Sequence, residues 1–171
     1  MLGGSGTVQQ NDVEERSDVV VYTTLPLAED VEVTGPVSAV LYVATSSPSA
    51  DFTAKLVDVH PDGFAQNVLD RVIRARFRKG SKLPPSLIEP RTPYEYTIDL
   101  GYTATVFKPG HRVRLDISSS NFPHLARNHN TGDDPANDAR FVVATQTLLH
   151  DEKHPSYVEL AVVPNIKTLQ R

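Results

Sequence analysis

The sequence predicts an all-β protein, a sandwich or a barrel. Apolar and polar residues alternate over short segments, which is the period of a strand with one buried face. Proline and glycine, 13 and 9 residues in all, separate these segments at roughly even spacing, as they do in such folds. No segment shows the spacing of an amphipathic helix. We therefore expect two or more packed layers of short strands.

Composition restricts the class of protein further. The chain has 171 residues, 39% apolar and 22% charged, which indicates one globular domain with a sizeable core. There is no cysteine, so disulfides and thiolate metal sites are excluded. A net charge of −4 argues against a nucleic-acid partner. No apolar run is long enough to span a membrane, and no signal peptide is visible, so we expect a cytoplasmic protein without a membrane partner.

The first third of the chain contains a linker and three extended segments. Residues 1–17 resemble a linker, because glycines make them flexible and charged residues keep them solvated. The first strand is predicted over Asp18–Thr23, and a second extended stretch over 31–33. Gly35-Pro36 is expected to break that stretch before a strand over 37–44. Both faces of this last strand are fairly apolar, so we expect it inside the sandwich.

A hairpin is predicted next. Phe52–His60 forms its first strand, with a slip in the alternation at Leu56-Val57 that is typical of a β-bulge. Pro61-Asp62-Gly63 provides the turn. The returning strand is predicted over 65–77. Its far end would present two faces: Ile73, Ala75 and Phe77 on one, and Arg74, Arg76 and Arg78 on the other.

The proline-rich segment 80–93 predicts an extended loop. Alternation then predicts strands over 94–100 and 103–107, and later over 141–150 and 156–163, as read from the sequence. The residues after Pro164 form a tail.

The most informative stretch begins at His111. Val113, Leu115 and Ile117 alternate with charged residues, so these three should point into the core. A polar loop, Ser119–Gly132, follows directly. A rigid strand that opens into such a loop can present a recognition surface. The alternative is a loop whose serines and asparagines satisfy its own backbone.

The sequence contains no recognisable catalytic motif. The G-x-S-x-G turn of α/β-hydrolases is absent, and so is a phosphate-binding glycine loop. Four histidines and three aspartates are the candidate zinc ligands: His124, His129, His150, His154, Asp133, Asp134 and Asp151. The sequence does not show that they cluster as a zinc site requires, so we expect no metal or other cofactor. One basic stripe is interpreted as a solvated sheet face or a domain interface: Arg71, Arg74, Arg76, Arg78, Lys79 and Lys82.

Several motifs occur in an order that resembles one family. They are DVVVYTT (18–24), DVEVTGP (30–36), DFTAKLVDV (51–59), PDG (61–63), RAR (74–76), GHR (110–112), SSSNFP (118–123), RN (127–128), NTG (130–132), HD (150–151) and PS (155–156). This resembles the C-terminal, non-catalytic domain of the X-Pro dipeptidyl-peptidase and cocaine esterase (CocE/NonD) family of serine hydrolases. The likeness covers residues 13–164. Arg91 stands where members often have glycine, and Ala161 where proline is common.

The resemblance implies a jelly-roll β-sandwich of the galactose-binding-domain type. It would span residues 18–164, with 1–17 as the linker from a catalytic domain and 165–171 as a tail. The implied partner is an α/β-hydrolase domain of the same parent chain, which carries the catalytic Ser, Asp and His. No catalytic role transfers to this chain, although the parent would be an esterase, acylase or dipeptidyl-peptidase.

The implied function is accessory: to support the catalytic domain, to wall part of its active-site cleft and, as a further option, to support a homo-oligomer. The alternatives are a free-standing carbohydrate- or ligand-binding module and a complete small enzyme with an unfamiliar site. The absence of Trp argues against sugar binding. Candidate residues of the domain interface are Asn121, Arg127, Asn128 and Asn130.

Overall fold

The protein is a β-sandwich, as a computed structural model shows for residues 8–134 and 136–164. The elements are α1 (Asn11–Glu14), β1 (Val20–Thr23), β2 (Val31–Thr45), β3 (Asp51–Val59), β4 (Ala65–Arg74), β5 (Tyr94–Phe107), β6 (Arg112–Ser118), β7 (Gln146–Leu149) and β8 (Tyr157–Val162). One antiparallel sheet has the order β1-β6-β3-β4. In the other, β2 pairs with β5 on one side and with β7 and β8 on the other. The jelly-roll subtype stays a prediction.

The core lies between the two sheets. Val113, Leu115 and Ile117 of β6 are 9%, 8% and 6% exposed, which confirms the predicted inward face. They meet side chains of both sheets, and the rings of Phe52 and Tyr96 approach to 4.7 Å across the layers. Burial of these large side chains is the main contribution to the stability of the sandwich.

Strand β2 is continuous, so the predicted break at Gly35-Pro36 is wrong. Proline removes a backbone donor, but the pairing of β2 with β8 is interrupted between Val33 and Val37. Pro36 therefore leaves no ladder hydrogen bond unmade on that side. Gly35 fits because a Cβ there would lie only 2.8 Å from the Cβ of Ala161.

Strand β5 is also continuous, where two shorter strands were predicted. The register with β2 shifts between Val37 and Ser38, and Leu100 is the extra residue on β5. Gly101 has a φ of 96°, a conformation that glycine adopts without strain. The extra residue forms a β-bulge, so the strand continues through the point where the alternation of apolar and polar residues is interrupted.

The predicted hairpin is confirmed. Gly63 N donates to His60 O, and the register shift lies at Leu56/Val57, opposite an extra residue, Val68, on β4. The predicted strand over 65–77 is too long, because β4 ends at Arg74 and a 3-10 turn follows over Ala75–Phe77. The alternating faces predicted for its end therefore do not form.

One further strand boundary differs from the prediction, and one loop residue has an unusual backbone conformation. Strand β7 covers only Gln146–Leu149, and residues 141–145 run outside the sheets. Arg91, in the proline-rich loop, has a φ of 66°. Residues other than glycine are strained in that left-handed conformation, which would account for the glycine that the resemblance implies at this position.

The amino-terminal segment contacts the sheet from residue 8 onward. Gln10 is buried, and its backbone N donates to Ala65 O. Glu14 forms a largely buried ion pair with Arg114 of β6, so its predicted solvation is wrong. These contacts bring polar groups of the segment close to the outer side of the β3–β6 pair.

No helix within the described residues is long and apolar enough to cross a membrane.

Candidate functional site

The loop Ser119–Gly132 is held at its start by Asn121. Its side-chain nitrogen donates to the Asp70 carboxylate of β4 at 2.8 Å. Asn121 is one of the four predicted interface residues, and this contact engages its side chain within the domain. The hydrogen bond fixes the point where the chain leaves β6.

Asn128 fixes the middle of the loop. Its side-chain nitrogen donates to Asp51 Oδ1 at 2.6 Å and lies 3.2 Å from Ser49 Oγ. Arg74 binds the same carboxylate with two nitrogens, at 2.8 and 3.0 Å. Asp51 is buried, and these donors satisfy it. Asn128 is therefore an internal brace that joins the loop to β3.

Asn130 shapes the backbone of the loop. Its φ is 62°, a left-handed conformation that asparagine tolerates better than most residues. Its backbone N donates to Asn128 Oδ1, and its side chain donates to Val142 O, both at 2.9 Å. The first bond stabilises the loop internally, and the second connects it to the segment over 141–145.

Arginines predicted to form a basic stripe instead hold this region together. Arg76 donates to the carbonyls of Gly132 and Asp133, at 3.0 and 3.2 Å. Arg78 donates to the carbonyls of Ala75 and Ser86 and lies over the Tyr94 ring at 4.7 Å. Because terminal guanidinium nitrogens of Arg76 and Arg78 donate to backbone carbonyls, these two side chains do not form a continuous basic face.

Arg127 differs from the three asparagines. It is exposed, and its guanidinium makes no hydrogen bond within the part of the chain that the structure describes. Its Cζ lies 5.5 Å from the centre of the Phe122 ring and 5.1 Å from that of Phe141. Phe122, Phe141 and Val143 are 63%, 56% and 96% exposed. We call Phe122, Leu125, Arg127, Phe141 and Val143 the Arg127 patch.

A buried acid, Asp116, lies on the outer face of β6, between Leu115 and Ile117 in the sequence. Asp116 is 3% exposed, and neither carboxylate oxygen has a hydrogen-bond donor among the described residues. Burial, followed by the nearby charge of Glu14, raises the pKa of Asp116 to about 7, while Arg114 and Lys55 act in the opposite direction. The strand pattern predicts this side chain on the solvated face, and the packing of the amino-terminal segment explains why it is buried.

The histidines considered in the sequence do not converge on a common centre. His129 stacks on Phe141 at 4.1 Å, and His154 contacts Asp151 at 3.0 Å. The structure instead brings together Asp58, His60 and His111. Sequence reasoning missed this group, although the alternation of Asp58 with His60 and the position of His111 just before β6 could have indicated it.

One apolar cavity opens between the edges of the two sheets. Its volume is about 350 Å³. Tyr22, Leu148, His150 and Tyr157 are among the residues that line it. The size and the mostly apolar lining are typical of small-molecule sites, and Tyr22 stacks edge-on with His150 at 6.0 Å.

Comparisons with known proteins agree with this architecture. The family of the X-Pro dipeptidyl-peptidase C-terminal non-catalytic domain matches residues 4–159. The chain is 42% identical over 163 residues to the cocaine esterase of Rhodococcus sp. (strain MB1 Bresler). The aligned region covers 94% of this chain and 28% of the esterase. The chain thus spans little more than a quarter of that relative's length.

Solved structures give the same result. A selenomethionine-labelled α-amino acid ester hydrolase superposes with a TM-score of 0.83 at 29% identity, over 91% of this chain and 27% of that chain. An aminopeptidase from a marine sediment archaeon, Thaumarchaeota archaeon, gives 0.84 at 29% identity, over the same shares. A CocE/NonD family hydrolase from Staphylococcus aureus shares the fold, with a TM-score of 0.69 at 15% identity over 85% of this chain and 30% of that chain. The chain therefore belongs to the X-Pro dipeptidyl-peptidase C-terminal non-catalytic domain family, which forms part of CocE/NonD-type hydrolases.

Proposed function

We propose that this chain packs on an α/β-hydrolase domain of the same polypeptide through the Arg127 patch and shapes the active-site cleft of that domain. The observation that carries the proposal is an exposed arginine between two exposed phenylalanines on a loop that is braced from within. Residues 1–17 would then connect the two domains.

The composition of the patch supports an interface. Arginine and aromatic residues are enriched among the residues that contribute most to binding energy, because they bury large areas at low entropic cost. Val143, two residues after Phe141 in the chain, is almost fully exposed and adds apolar area to the same segment. A free guanidinium can donate two parallel hydrogen bonds to a carboxylate or to carbonyl oxygens of a partner.

The bracing supports the same function. Three of the four predicted interface residues, Asn121, Asn128 and Asn130, use their side chains inside the domain. We infer that they hold the loop in one conformation and that Arg127 provides the outward contact. A preorganised loop loses less conformational entropy on docking. The length of the relatives is consistent with such a partner, since this chain covers only 28% of the esterase.

The test compares the isolated chain with the parent polypeptide that contains it. Arg127→Ala and Phe141→Ala should leave the melting temperature of the isolated chain unchanged, and they should lower the hydrolase activity or the melting temperature of the parent. Tyr102→Ala is the control, because Tyr102 is an aromatic residue that is 77% exposed on β5. Tyr102→Ala should change neither the melting temperature of the isolated chain nor the activity and melting temperature of the parent.

Two outcomes would contradict this assignment. Parent variants that behave like the wild type would remove the patch from the interface. A lower melting temperature of the isolated Arg127→Ala chain, with no further loss in the parent, would make Arg127 an internal brace.

A second candidate function, a ligand-binding module, is favoured by the apolar cavity. It is tested by calorimetric titration of the isolated chain with monosaccharides, oligosaccharides and small aromatic alcohols. Saturable binding that Tyr157→Ala abolishes would support it. Heats of dilution alone for every compound would contradict it.

A further inference from the structure

The inner face of one sheet ends in a group of metal-ligating side chains. On β3, Phe52 and Leu56 point into the core, and Asp58 and then His60 continue the same face. Strand β6 pairs Val59 with Arg112, so the next step along the two strands places His60 opposite His111. Along this face, the apolar side chains of the core are therefore followed by one carboxylate and two imidazoles at the end of the sandwich.

These three side chains are close enough to share one ion. His111 Nδ1 lies 2.9 and 3.1 Å from the two oxygens of Asp58, and His60 Nε2 lies 3.8 Å from Asp58 Oδ2. All the potential ligand atoms lie within 4.8 Å of one another. Tetrahedral zinc with bonds of about 2.0–2.2 Å separates its ligand atoms by roughly 3.3–3.6 Å. The observed separations lie on both sides of that value, so small side-chain rotations suffice.

The backbone positions of both histidines are fixed. His60 N donates to Phe64 O, and His60 O accepts from Gly63 N in the hairpin turn. His111 N donates to Lys108 O, and His111 O accepts from Leu27 N. Ligands held on a hydrogen-bonded backbone lose little freedom when they bind an ion.

The local environment also fits a metal site. The Asp58 and His111 side chains are 11% and 14% exposed, whereas that of His60 is 32% exposed, so solvent reaches the group from the His60 side. The two imidazole rings lie 4.4 Å apart at 34°. A metal binds an imidazole through the lone pair of an unprotonated ring nitrogen, and both rings have a ring nitrogen directed at Asp58. Gln66 Oε1, 3.2 Å from His60 Nε2, adds a neighbouring oxygen.

We propose that Asp58, His60 and His111 form a binding site for a divalent transition-metal ion of the Zn²⁺ type. Two imidazoles and one carboxylate suit such an ion better than Mg²⁺ or Ca²⁺, which prefer oxygen ligands. Binding forms three coordination bonds and changes no oxidation state. Binding at Nδ1 requires the proton that His111 donates to Asp58 to leave that nitrogen, and in a neutral imidazole Nε2 takes up a proton by exchange with the solvent, so the ring stays neutral.

The test uses the untagged 171-residue chain. Isothermal titration with ZnCl₂ should give one site per chain with a dissociation constant in the micromolar range or below. His60→Ala and His111→Ala should each weaken binding by at least about tenfold. Co²⁺ in place of Zn²⁺ should give a visible d–d absorption spectrum that both variants lose.

The matched control is His154→Ala, because His154 also contacts a carboxylate, that of Asp151, at 3.0 Å. It should bind Zn²⁺ like the wild type. Circular dichroism checks that each variant is folded, and His60→Ala, which changes the most exposed ligand, remains informative if His111→Ala does not fold. Stoichiometric binding that survives His60→Ala, or no binding below millimolar Zn²⁺, would overturn the proposal.

Discussion

At the scale of single residues, the alternation along β6 decides which side chains reach the core. Val113, Leu115 and Ile117 lie inside, as the pattern predicts. The same pattern places Asp116 on the outer face, and it does lie there, but the amino-terminal segment covers it. Burial of a carboxylate without a donor is costly, and the group responds by holding its proton more tightly.

Leu115→Ala tests the inner face. We expect the free energy of unfolding to fall by about 2–5 kcal/mol, because the buried side chain leaves a cavity behind. Leu25→Ala is the matched control, since Leu25 is 83% exposed, and it should cost less than about 0.5 kcal/mol. Denaturant titration measures both. A loss below roughly 1 kcal/mol for Leu115→Ala would mean that the site relaxes or that the strand face is misassigned.

Asp116→Asn tests the outer face through pH. The pKa of Asp116 is about 7 in the folded protein and about 3.9 in an unfolded chain. Between those values the folded state retains a proton that the unfolded state has lost. The contribution of Asp116 to stability is therefore fully present below about pH 4 and is lost as the pH rises through about 7.

The asparagine at position 116 cannot ionise, so the free energy of unfolding of the variant should not fall between about pH 4 and about pH 7 on account of this residue. Above pH 7 it should be more stable than the wild type by roughly 1–4 kcal/mol. Urea titrations at about pH 5 and about pH 8 measure the difference. Parallel pH profiles of the two proteins would show that Asp116 titrates normally.

At the scale of elements, the residues of the hairpin turn predict that turn correctly, whereas a Gly-Pro pair wrongly predicts the end of a strand. Pro61-Asp62-Gly63 forms its turn, since a hairpin turn depends on the residues within it. Gly35-Pro36 does not end β2, because neighbouring strands accommodate the missing donor through a gap in their pairing. The loop Ser119–Gly132 likewise depends on contacts with β3 and β4.

Asn128→Ala tests the bracing of that loop. Loss of its hydrogen bond to the buried Asp51 should lower the stability of the isolated chain by about 1–3 kcal/mol. Asn137→Ala is the control, because the one side-chain hydrogen bond of Asn137 among the described residues goes to Asp134 on the surface. Thermal unfolding compares the two. Equal melting temperatures for both variants would show that Asn128 does not hold the loop.

At the scale of the whole molecule, two sheets enclose one core, with the braced loop at one end of β3 and β6 and the group Asp58, His60 and His111 at the other end. The chain matches a non-catalytic domain and covers 28% of a cocaine esterase. Its sequence contains no G-x-S-x-G turn, and a serine nucleophile in this class of hydrolase requires that turn to be exposed and activated.

We therefore expect the isolated chain to hydrolyse neither p-nitrophenyl acetate nor an X-Pro-p-nitroanilide above the buffer rate. The release of nitrophenol or nitroaniline is followed by absorbance, with the parent polypeptide as the positive control. Saturable turnover that a single Ser→Ala substitution removes would contradict the accessory role and favour a complete small enzyme.

The sequence by itself determined the all-β class, the inward face of β6, the hairpin turn and the family resemblance, because strand alternation and turn preferences act between near neighbours. Only the tertiary structure decided which side chains meet across the sheets. Asn128 and Asp51 are separated by 77 residues, and His111 and Asp58 by 53. Such contacts depend on sheet register, which several strands fix together and which no local pattern contains. For the same reason, Arg127 could be separated from the three bracing asparagines only once their partners were known.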